Sequence, residues 1–320
     1  MCMVSIIKPI DKDLIQSELC DKLLKKTKKA SNEIYVVDAH KSPNVMNEIG
    51  RLREMSFRNS GGGSGKGLDT DEFDFLPQPY EQLIVWNPEE KEIVGGYRFL
   101  HGIKAEIKNG VPKMSMEHIF DFSQKFINDY LPRTIELGRA FIQPKYQSIK
   151  GGFKSLFALD NLWDGIGAMI SLYPDTQYLT GKVTIYPQMN EKARSAIIFY
   201  LAKYFPDKEG LFSPKNLQII PKNYVQKFKK IFTGNDLKEN FKILNSFVKQ
   251  KNEHIPPLIR AYIDLSDSMR TFGTCFDADF GNIYDTGIMI TIDEIHEDKK
   301  KRYLENYYAI KNMLLGRKNL

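Results

Sequence analysis

Cysteine, histidine and long apolar runs are all scarce in this sequence of 320 residues. The three cysteines, Cys2, Cys20 and Cys275, are widely separated and have no CxxC spacing, which argues against a disulfide scaffold and a zinc site. None of the five histidines has the spacing of a metal site, so we expect no bound metal. No apolar run reaches about 18 residues, the length that a membrane-spanning helix needs.

The N-terminal apolar run, residues 3–7, is too short for the core of a signal peptide. We therefore expect a cytoplasmic protein, with any membrane contact peripheral and on the inner face. Lys and Arg number 46 against 40 Asp and Glu, a net charge of +6. This mild surplus suits an acidic protein, an anionic co-substrate or a membrane face, whereas nucleic-acid binders concentrate far more charge on one face. We expect no nucleic-acid partner.

Strand and helix patterns alternate along the chain, in a globular composition of 42% hydrophobic and 27% charged residues. Apolar periodicity predicts amphipathic helices, and β-rich runs on either side of Pro88 predict a hairpin. The predicted helices are 11–30, 45–57, the segment from Gly152 to about Leu172, and 190–205; the predicted strands are 81–87, 91–100, 134–143 and 178–187. This order predicts an α+β fold, α/β-like, with a mixed sheet flanked by helices.

Residues 206–254 differ in character, because lysines alternate there with phenylalanines. We interpret this segment as a basic helical insertion in a single enlarged domain. The core then comprises about 31–205 and 255–293, with an N-terminal helix at about 11–30 and a C-terminal helix at about 297–316. The interleaved residues are Lys222, Lys227, Lys229, Lys230, Lys238, Lys242, Lys249 and Lys251, with Phe228, Phe232, Phe241 and Phe247.

The glycine-rich stretch at 59–67, NSGGGSGKG, resembles a P-loop only superficially. The position of the first required glycine is Ser60, and Gly67 follows the lysine where a metal-binding Ser or Thr is needed. The composition indicates a mobile loop, and such loops beside acidic clusters often act as lids.

An acidic cluster, DTDEFD at 69–74, follows this loop directly. Its carboxylates repel one another, so a fixed cluster needs cations: Arg53, Arg98, Arg139, a metal or a substrate ammonium. The alternative is a solvated acidic turn. Further along, Glu136 and Arg139 lie three apart and face opposite sides of an unbroken strand, unless a bulge near Gly138 brings them together. An ordinary strand salt bridge remains the alternative there.

Pro144, Gln147, Gly151 and Gly152 stand between the third predicted strand and the long helix. Backbone N–H groups at a helix start bind anionic oxygens, so a pyrophosphate or phosphopantetheine fits this position. A glycine pair at a turn also occurs for reasons of backbone geometry alone.

Four motifs occur in a fixed order: R-x-x-x-F at Arg53 and Phe57, D-x-D-x-x-D at 69–74, G-x-Y-R at 95–98, and E-x-x-R at 136–139. Together they resemble the N-acyltransferases of the acetyltransferase-like (GNAT) fold. Within that family, ELGRAFIQPKYQ, LWDGIGAMI, LTGKVTIYP and IPPLIRAYIDL resemble the hemolysin-like group, which includes the ornithine-lipid and glycine-lipid N-acyltransferases of bacteria. The resemblance covers about residues 45–293.

The resemblance implies a GNAT-type sheet and an amide-forming acyltransferase. The implied reaction moves a (3-hydroxy) fatty acyl group from acyl carrier protein, or from acyl-CoA, to the amine of an amino acid such as glycine or ornithine, in aminolipid biosynthesis. It implies no tightly bound cofactor beyond the thioester co-substrate. An acyl-homoserine-lactone-type signal synthase and a non-catalytic acyl-binding module are the alternatives.

The resemblance also suggests residue roles. We expect Glu136 to remove the amine proton directly or through a water, and Arg98 or Arg139 to orient the carboxylates. The expected acceptor-binding residues are Arg53, Phe57, Asp69, Asp71 and Asp74, and the expected acyl-donor residues are Gly138, Phe141, Gln147, Gly151 and Gly152. We further expect the lysines and phenylalanines of 206–254 to meet an anionic membrane face.

Overall fold

The computed structural model describes residues 4–147 and 157–304. The chain divides into two compact units. Unit 1 comprises Met1–Ala105, Ile135–Thr176 and Glu297–Leu320, and unit 2 comprises Glu106–Thr134 and Gln177–His296.

Strands occur in both units. In chain order they are β1 (Leu23–Lys26), β2 (Glu33–Val37), β3 (Glu81–Asn87), β4 (Glu92–His101), β5 (Ile107–Lys108), β6 (Val111–Pro112), β7 (Phe120–Phe122), β8 (Thr134–Ile142), β9 (Tyr178–Ile185), β10 (Phe212–Pro214), β11 (Arg270–Asp277) and β12 (Ile283–Thr291).

The α-helices are α1 (Lys12–Leu19), α2 (Pro43–Asn59), α3 (Ala158–Leu172), α4 (Glu191–Tyr204), α5 (Lys222–Ile231), α6 (Leu237–Lys249), α7 (Pro257–Ile263) and the short α8 (Glu297–Lys299). Within the two described ranges, none of the helices combines the length and the apolar character required to cross a membrane.

Unit 1 is built on an antiparallel sheet with the strand order β1-β2-β3-β4-β8. Helices cover both of its faces, because neighbouring residues of a strand point to opposite sides. On β3, Gln82 bonds to Arg53 of α2, whereas Leu83 packs against Gly165 of α3. The α+β architecture predicted from the sequence is confirmed, and the predicted hairpin is β3 and β4.

Two consecutive glycines let β4 pack between its neighbours. A Cβ added to Gly95 would lie 2.5 Å from the carbonyl oxygen of Phe141 on β8, and one added to Gly96 would collide with the carbonyl oxygen of Leu83 on β3. Both obstacles are backbone atoms of paired strands, so they cannot move aside as a side chain would.

We therefore expect Gly96→Ala to lower the free energy of unfolding by about 1–3 kcal/mol, the usual cost of overpacking. Urea denaturation monitored by circular dichroism measures it. A loss below about 0.5 kcal/mol, the range of an ordinary surface substitution, would contradict the close approach of β3 and β4.

Unit 2 contains an antiparallel sheet with the order β9-β12-β11, and the pairs β7–β10 and β5–β6. Helices α5 and α6 belong to the basic segment 206–254 and pack on α4 through aromatic rings. The ring centroids of Phe199 and Phe228 are 5.5 Å apart, those of Phe199 and Phe232 are 5.7 Å apart, and those of Phe228 and Phe247 are 5.6 Å apart. All four side chains are buried.

This packing corrects one expectation. Phe228, Phe232 and Phe247 belong to the core of unit 2 and cannot meet a membrane, because their apolar surface is already covered. The lysines of α5 remain exposed.

The N-terminal helix is shorter than the predicted 11–30. It ends at Leu19, and Leu23–Lys26 form strand β1 instead. Asp21 has a φ of +60°, in the left-handed region where a right-handed helix cannot continue. At the other end of the chain, α8 is followed by a π-helical turn at Lys300–Leu304, and the remainder of the predicted helix 297–316 lies outside the described residues.

The glycine-rich loop is tied to α2 rather than standing apart as a lid. The fully buried carboxylate of Glu54 accepts hydrogen bonds from the backbone N–H groups of Ser64 and Gly65, at 2.9 and 2.7 Å. Arg58 donates to the carbonyl oxygen of Lys66 at 2.5 Å. The loop therefore fixes the start of the acidic segment that follows it.

Candidate active site

The acidic segment 69–74 ends in a short 3-10 turn, Glu72–Asp74, and Asp71 caps its N-terminus. The side chain of Asp71 accepts a hydrogen bond from the N–H of Phe73 at 3.1 Å, and the carboxylate of Asp74 accepts one from the N–H of Asp71 at 3.2 Å. This reciprocal capping satisfies two backbone donors and holds the two carboxylates in fixed directions. The turn is therefore ordered, unlike a solvated acidic loop.

Asp74 lies in a fully enclosed inner group. The Nη1 atom of Arg53 lies 3.2 Å from the Oδ2 atom of Asp74, and both side chains are completely buried. Gln82 joins them: its amide nitrogen donates to Asp74 at 2.9 Å, and its oxygen accepts from Arg53 at 2.5 Å. A buried ion pair is costly unless its remaining polar atoms are bonded. Gln82 supplies one bond to each partner, while the Nε atom of Arg53 has no hydrogen-bond partner among the described residues.

Asp71 lies outside this inner group and belongs to a second set of charged side chains that is more accessible to solvent. Arg98 donates to Asp71 at 2.6 Å and lies 3.5 Å from Asp74, so it connects the inner and outer groups. Arg139 lies 3.3 Å from Asp71 and 3.0 Å from Asp69. The side chains of Asp71 and Arg139 are 27% and 19% exposed, whereas that of Arg98 is 3% exposed.

The charges in this cluster shift one another's pKa values. Burial alone would raise the pKa of Asp71, but the guanidinium groups of Arg98 and Arg139 outweigh it and lower the pKa to about 2. Burial likewise opposes the charge of Arg98, yet the carboxylates of Asp74 and Asp71 raise its pKa. Burial raises the pKa of Asp69 despite the nearby Arg139. Asp71 is thus a carboxylate at neutral pH and is partly open to solvent.

This shift predicts a contribution to stability that depends on pH. The pKa of Asp71 falls from an ordinary 3.8 to about 2 on folding, which corresponds to about 2 kcal/mol. Because the folded-state pKa is depressed, this stability is fully present above about pH 4 and is lost as the pH falls towards 2. We expect Asp71→Asn to flatten the acid side of the stability profile, measured by urea unfolding across pH. A difference between variant and wild type that is as large at about pH 2 as at neutral pH would contradict this assignment.

Strand β8 carries a bulge at Arg139, one of the alternatives that the spacing of Glu136 and Arg139 left open. Arg98 pairs with Gly138 and Gly96 pairs with Phe141, so two residues of β8, Arg139 and Ala140, oppose one residue of β4. Arg139 itself takes the left-handed conformation, with φ of +51°, whereas Gly138 does not. Such strain in a non-glycine residue costs about 1–3 kcal/mol and clusters at functional sites.

The bulge is also where β8 opens to solvent. Gly138 and Arg139 are half-buried and Ala140 is exposed, whereas residues 134–137 of the same strand are buried. A bulge leaves a backbone group outside the regular ladder, so this is a place where a ligand can meet the main chain.

Glu136 lies on the same strand, fully buried, and accepts a hydrogen bond from the hydroxyl of Tyr80. The ring of Tyr80 lies 5.1 Å from the guanidinium carbon of Arg98 and packs edge-on against Phe73. Tyr80 therefore links Glu136 to the arginine and aspartate cluster. The assembled set contains three arginines and four carboxylates, which leaves one surplus negative charge when all are ionised.

The structure thus brings together in unit 1 most of the charged residues that the sequence singled out. They are Arg53, Asp69, Asp71, Asp74, Arg98, Glu136 and Arg139. Phe57 is buried on α2, and Phe141 is buried on β8 beside the bulge. Gln147 is exposed and donates to the carbonyl oxygen of Ile142 at 2.5 Å, while Gly151 and Gly152 lie outside the described residues.

Two residues of the site were missed from the sequence. Tyr80 and Gln82 lie two apart at the start of β3, so they share the face that meets Arg53 and Arg98. The signal for Gln82 was visible, because it is a polar residue directly before the apolar run LIVW of β3. Nothing in the sequence distinguished Tyr80. In the described ranges, no group of three or more His, Cys, Asp or Glu side chains is placed to hold a metal ion.

Comparison with known proteins identifies the family to which this chain belongs. Residues 52–153, which contain the whole charged cluster, match the acetyltransferase (GNAT) domain family. A glycine N(alpha)-acyltransferase of Bacteroides thetaiotaomicron is 46% identical over 307 residues, covering 95% of this chain and 91% of the relative. A glycine N(alpha)-acyltransferase of Phocaeicola vulgatus is 47% identical over 308 residues, covering 95% and 94%. This chain belongs to the GNAT N-acyltransferases.

As a GNAT N-acyltransferase, the protein is an amide-forming enzyme, and its charged cluster lies within the matched domain. The similarity to both relatives continues far beyond that domain, because it spans nearly the whole chain. No solved structure matches the chain.

Proposed function

We propose that this GNAT N-acyltransferase transfers a fatty acyl group from a thioester to the amine of glycine. The observation that carries the proposal is the similarity over 95% of the chain to two relatives named glycine N(alpha)-acyltransferase. The charged cluster supports it, because the accessible, ionised carboxylate of Asp71 suits an acceptor that arrives with an ammonium group. Ornithine fits the same chemistry and is the competing acceptor.

The acceptor binds, in this proposal, at the exposed rim of the cluster. Asp71 attracts the ammonium group, since it is ionised and 27% exposed. Arg139, which is next to it, holds the acceptor carboxylate as a charge-assisted pair. Asp74 and Arg53 are enclosed with Gln82, so we assign them to holding Asp71 and Arg98 in place.

Glu136 acts as the general base. It is fully buried, so the amine proton reaches it through a water rather than by direct contact. The neutral amine then attacks the thioester carbon, the C–N bond forms, the C–S bond breaks, and the departing sulfur leaves as a thiol after taking a proton. No covalent enzyme intermediate is required.

The bulge of β8 supplies the stabilisation of the oxyanion. Backbone N–H groups after Gly138 face the thioester oxygen, and fixed dipoles of this kind need no reorganisation during the reaction. The exposure of Ala140 supports this position for the donor. Phe141 and Gln147, with Gly151 and Gly152, complete the donor site in this proposal.

The acyl donor is a carrier-protein thioester, with acyl-CoA as the alternative. The net charge of +6 suits an acidic carrier. We also propose that the acyl chain is a 3-hydroxy fatty acid, that the product is an aminolipid, and that the enzyme belongs to the hemolysin-like group and works beside the cytoplasmic membrane.

Mass spectrometry of the products tests the proposal. The purified enzyme is mixed with 3-hydroxyacyl carrier protein or with the matching acyl-CoA, a pool of amino acids and S-adenosylmethionine. N-acylglycine is the expected product. N-acylornithine would identify ornithine as the acceptor and leave the rest of the proposal unchanged. A lactone made from S-adenosylmethionine, or no product with either donor, would overturn the proposal.

A further inference from the structure

The basic segment of unit 2 contains a stretch of sequence whose charged residues are all of one sign. Residues 210–235 contain five lysines and neither Asp nor Glu. Lys222, Lys229 and Lys230 of α5 are exposed, and of the helix only Phe228 is buried. This helix therefore anchors itself through one aromatic residue and presents its cations to solvent.

Apolar side chains protrude directly before this helix. Ile219 is 77% exposed and Leu217 is 54% exposed, and they stand two residues apart in an extended segment. The backbone of the segment pairs with β11: the N–H of Gln218 donates to the carbonyl oxygen of Thr274 at 2.7 Å, and Asn216 accepts from Phe276 at 3.1 Å. The pairing fixes the backbone from which these two side chains project.

We propose that Leu217 and Ile219, with the lysines of α5, form a docking surface for an anionic membrane. Apolar side chains beside a cluster of lysines are the combination that interfacial segments use, since the former enter the lipid and the latter meet anionic headgroups. The inference relies on the proposed function in one respect, because an acylated amino acid is a lipid that must reach a bilayer.

This surface differs from the one expected from the sequence. The phenylalanines of the segment pack inward, and the exposed apolar residues precede the helix instead. An acidic carrier protein is the competing partner for the lysines. The protrusion of Ile219 and Leu217 favours the membrane, because side chains that extend into solvent enter lipid readily.

Vesicle flotation of the full-length enzyme, without donor or acceptor, tests the proposal. The enzyme should float with vesicles that contain phosphatidylglycerol, less so with rising salt, and remain unbound to phosphatidylcholine alone. The combined variant Lys222→Glu, Lys229→Glu, Lys230→Glu should lower partitioning about 100-fold, since each cation contributes on the order of a fivefold factor.

The matched control is Lys8→Glu, Lys41→Glu, Lys66→Glu, three exposed lysines of unit 1. It changes the net charge by the same amount and should keep partitioning close to wild type. Leu217→Asn with Ile219→Asn should lower partitioning about tenfold and leave the salt dependence unchanged, because it removes only apolar contact.

Equal losses from the two lysine triples, or no binding to phosphatidylglycerol, would overturn the docking surface. The docking surface would also be overturned if the triple lysine variant of α5 kept its vesicle binding but had a higher KM for the carrier-protein donor. The surface would then bind the carrier. Product analysis is independent of flotation, so failure of the proposed reaction and failure of the membrane site are separately visible.

Discussion

Glu136→Gln should lower kcat/KM for acyl transfer by about 10²- to 10⁴-fold, the usual contribution of a general base. The change keeps the size of the side chain and leaves an oxygen that accepts from Tyr80, so the buried packing survives. What disappears is the group that takes the proton of the amine. Initial rates of N-acylglycine formation at several acceptor concentrations measure the effect.

Glu81→Gln is the matched control. Glu81 stands between Tyr80 and Gln82 on β3, so it points to the opposite face, where it bonds to Lys104 at 2.8 Å and to Tyr173 at 2.7 Å. We expect the Glu81→Gln enzyme to catalyse acyl transfer within about twofold of the wild-type rate, because surface ion pairs contribute little to stability. A Glu136→Gln enzyme that keeps most of its activity would remove Glu136 as the base, and one that is unfolded would assign it a structural role.

Asp74→Ala should lower the free energy of unfolding by about 3–5 kcal/mol, the largest effect on stability that we expect from a single change at the site. It leaves the guanidinium of Arg53 in a fully buried position without its carboxylate, and it removes one of the two acceptors of the Gln82 amide. Urea unfolding at neutral pH measures it, with the midpoint and slope fitted separately.

Asp71→Ala separates stability from function. Asp71 is partly exposed, and Arg98 still lies 3.5 Å from Asp74 after the change, so we expect a cost of about 1–2 kcal/mol together with a large rise in KM for glycine. Similar costs for the two alanine variants would contradict the division into an enclosed inner group and an accessible rim. Partial recovery of stability in Asp74→Asn, which still accepts a hydrogen bond, would support it.

The sequence predicted those parts of the fold that have strong local patterns. The β-rich runs around Pro88 became β3 and β4, and the strand predicted at 134–143 became β8. Strand β1 was missed because its four residues, LLKK, also fit a helical pattern, and only the left-handed turn at Asp21 shows where the helix ends.

The charged residues of the site were also identifiable, because motifs preserve residue type and order. Their division into an enclosed inner group and an accessible rim was not identifiable, because burial depends on residues distant in the chain. Gln82, on β3, encloses the pair of Asp74 and Arg53. A bulge near Gly138 was only one of the alternatives that the spacing left open, and the residue that takes the left-handed conformation is Arg139 and not its glycine neighbour. Side-chain chemistry was thus readable from sequence, and solvent access was not.

The aromatic packing of unit 2 limits how this enzyme can be shortened. Removing α5 and α6 to obtain a minimal catalyst would uncover the rings of Phe199 and Tyr200 on α4, which now lie against Phe228 of α5 and Phe241 of α6. A newly exposed aromatic patch of this kind promotes aggregation. The basic segment is therefore part of the folding unit in which it lies, and any trimmed enzyme would need polar replacements on α4 to stay in solution.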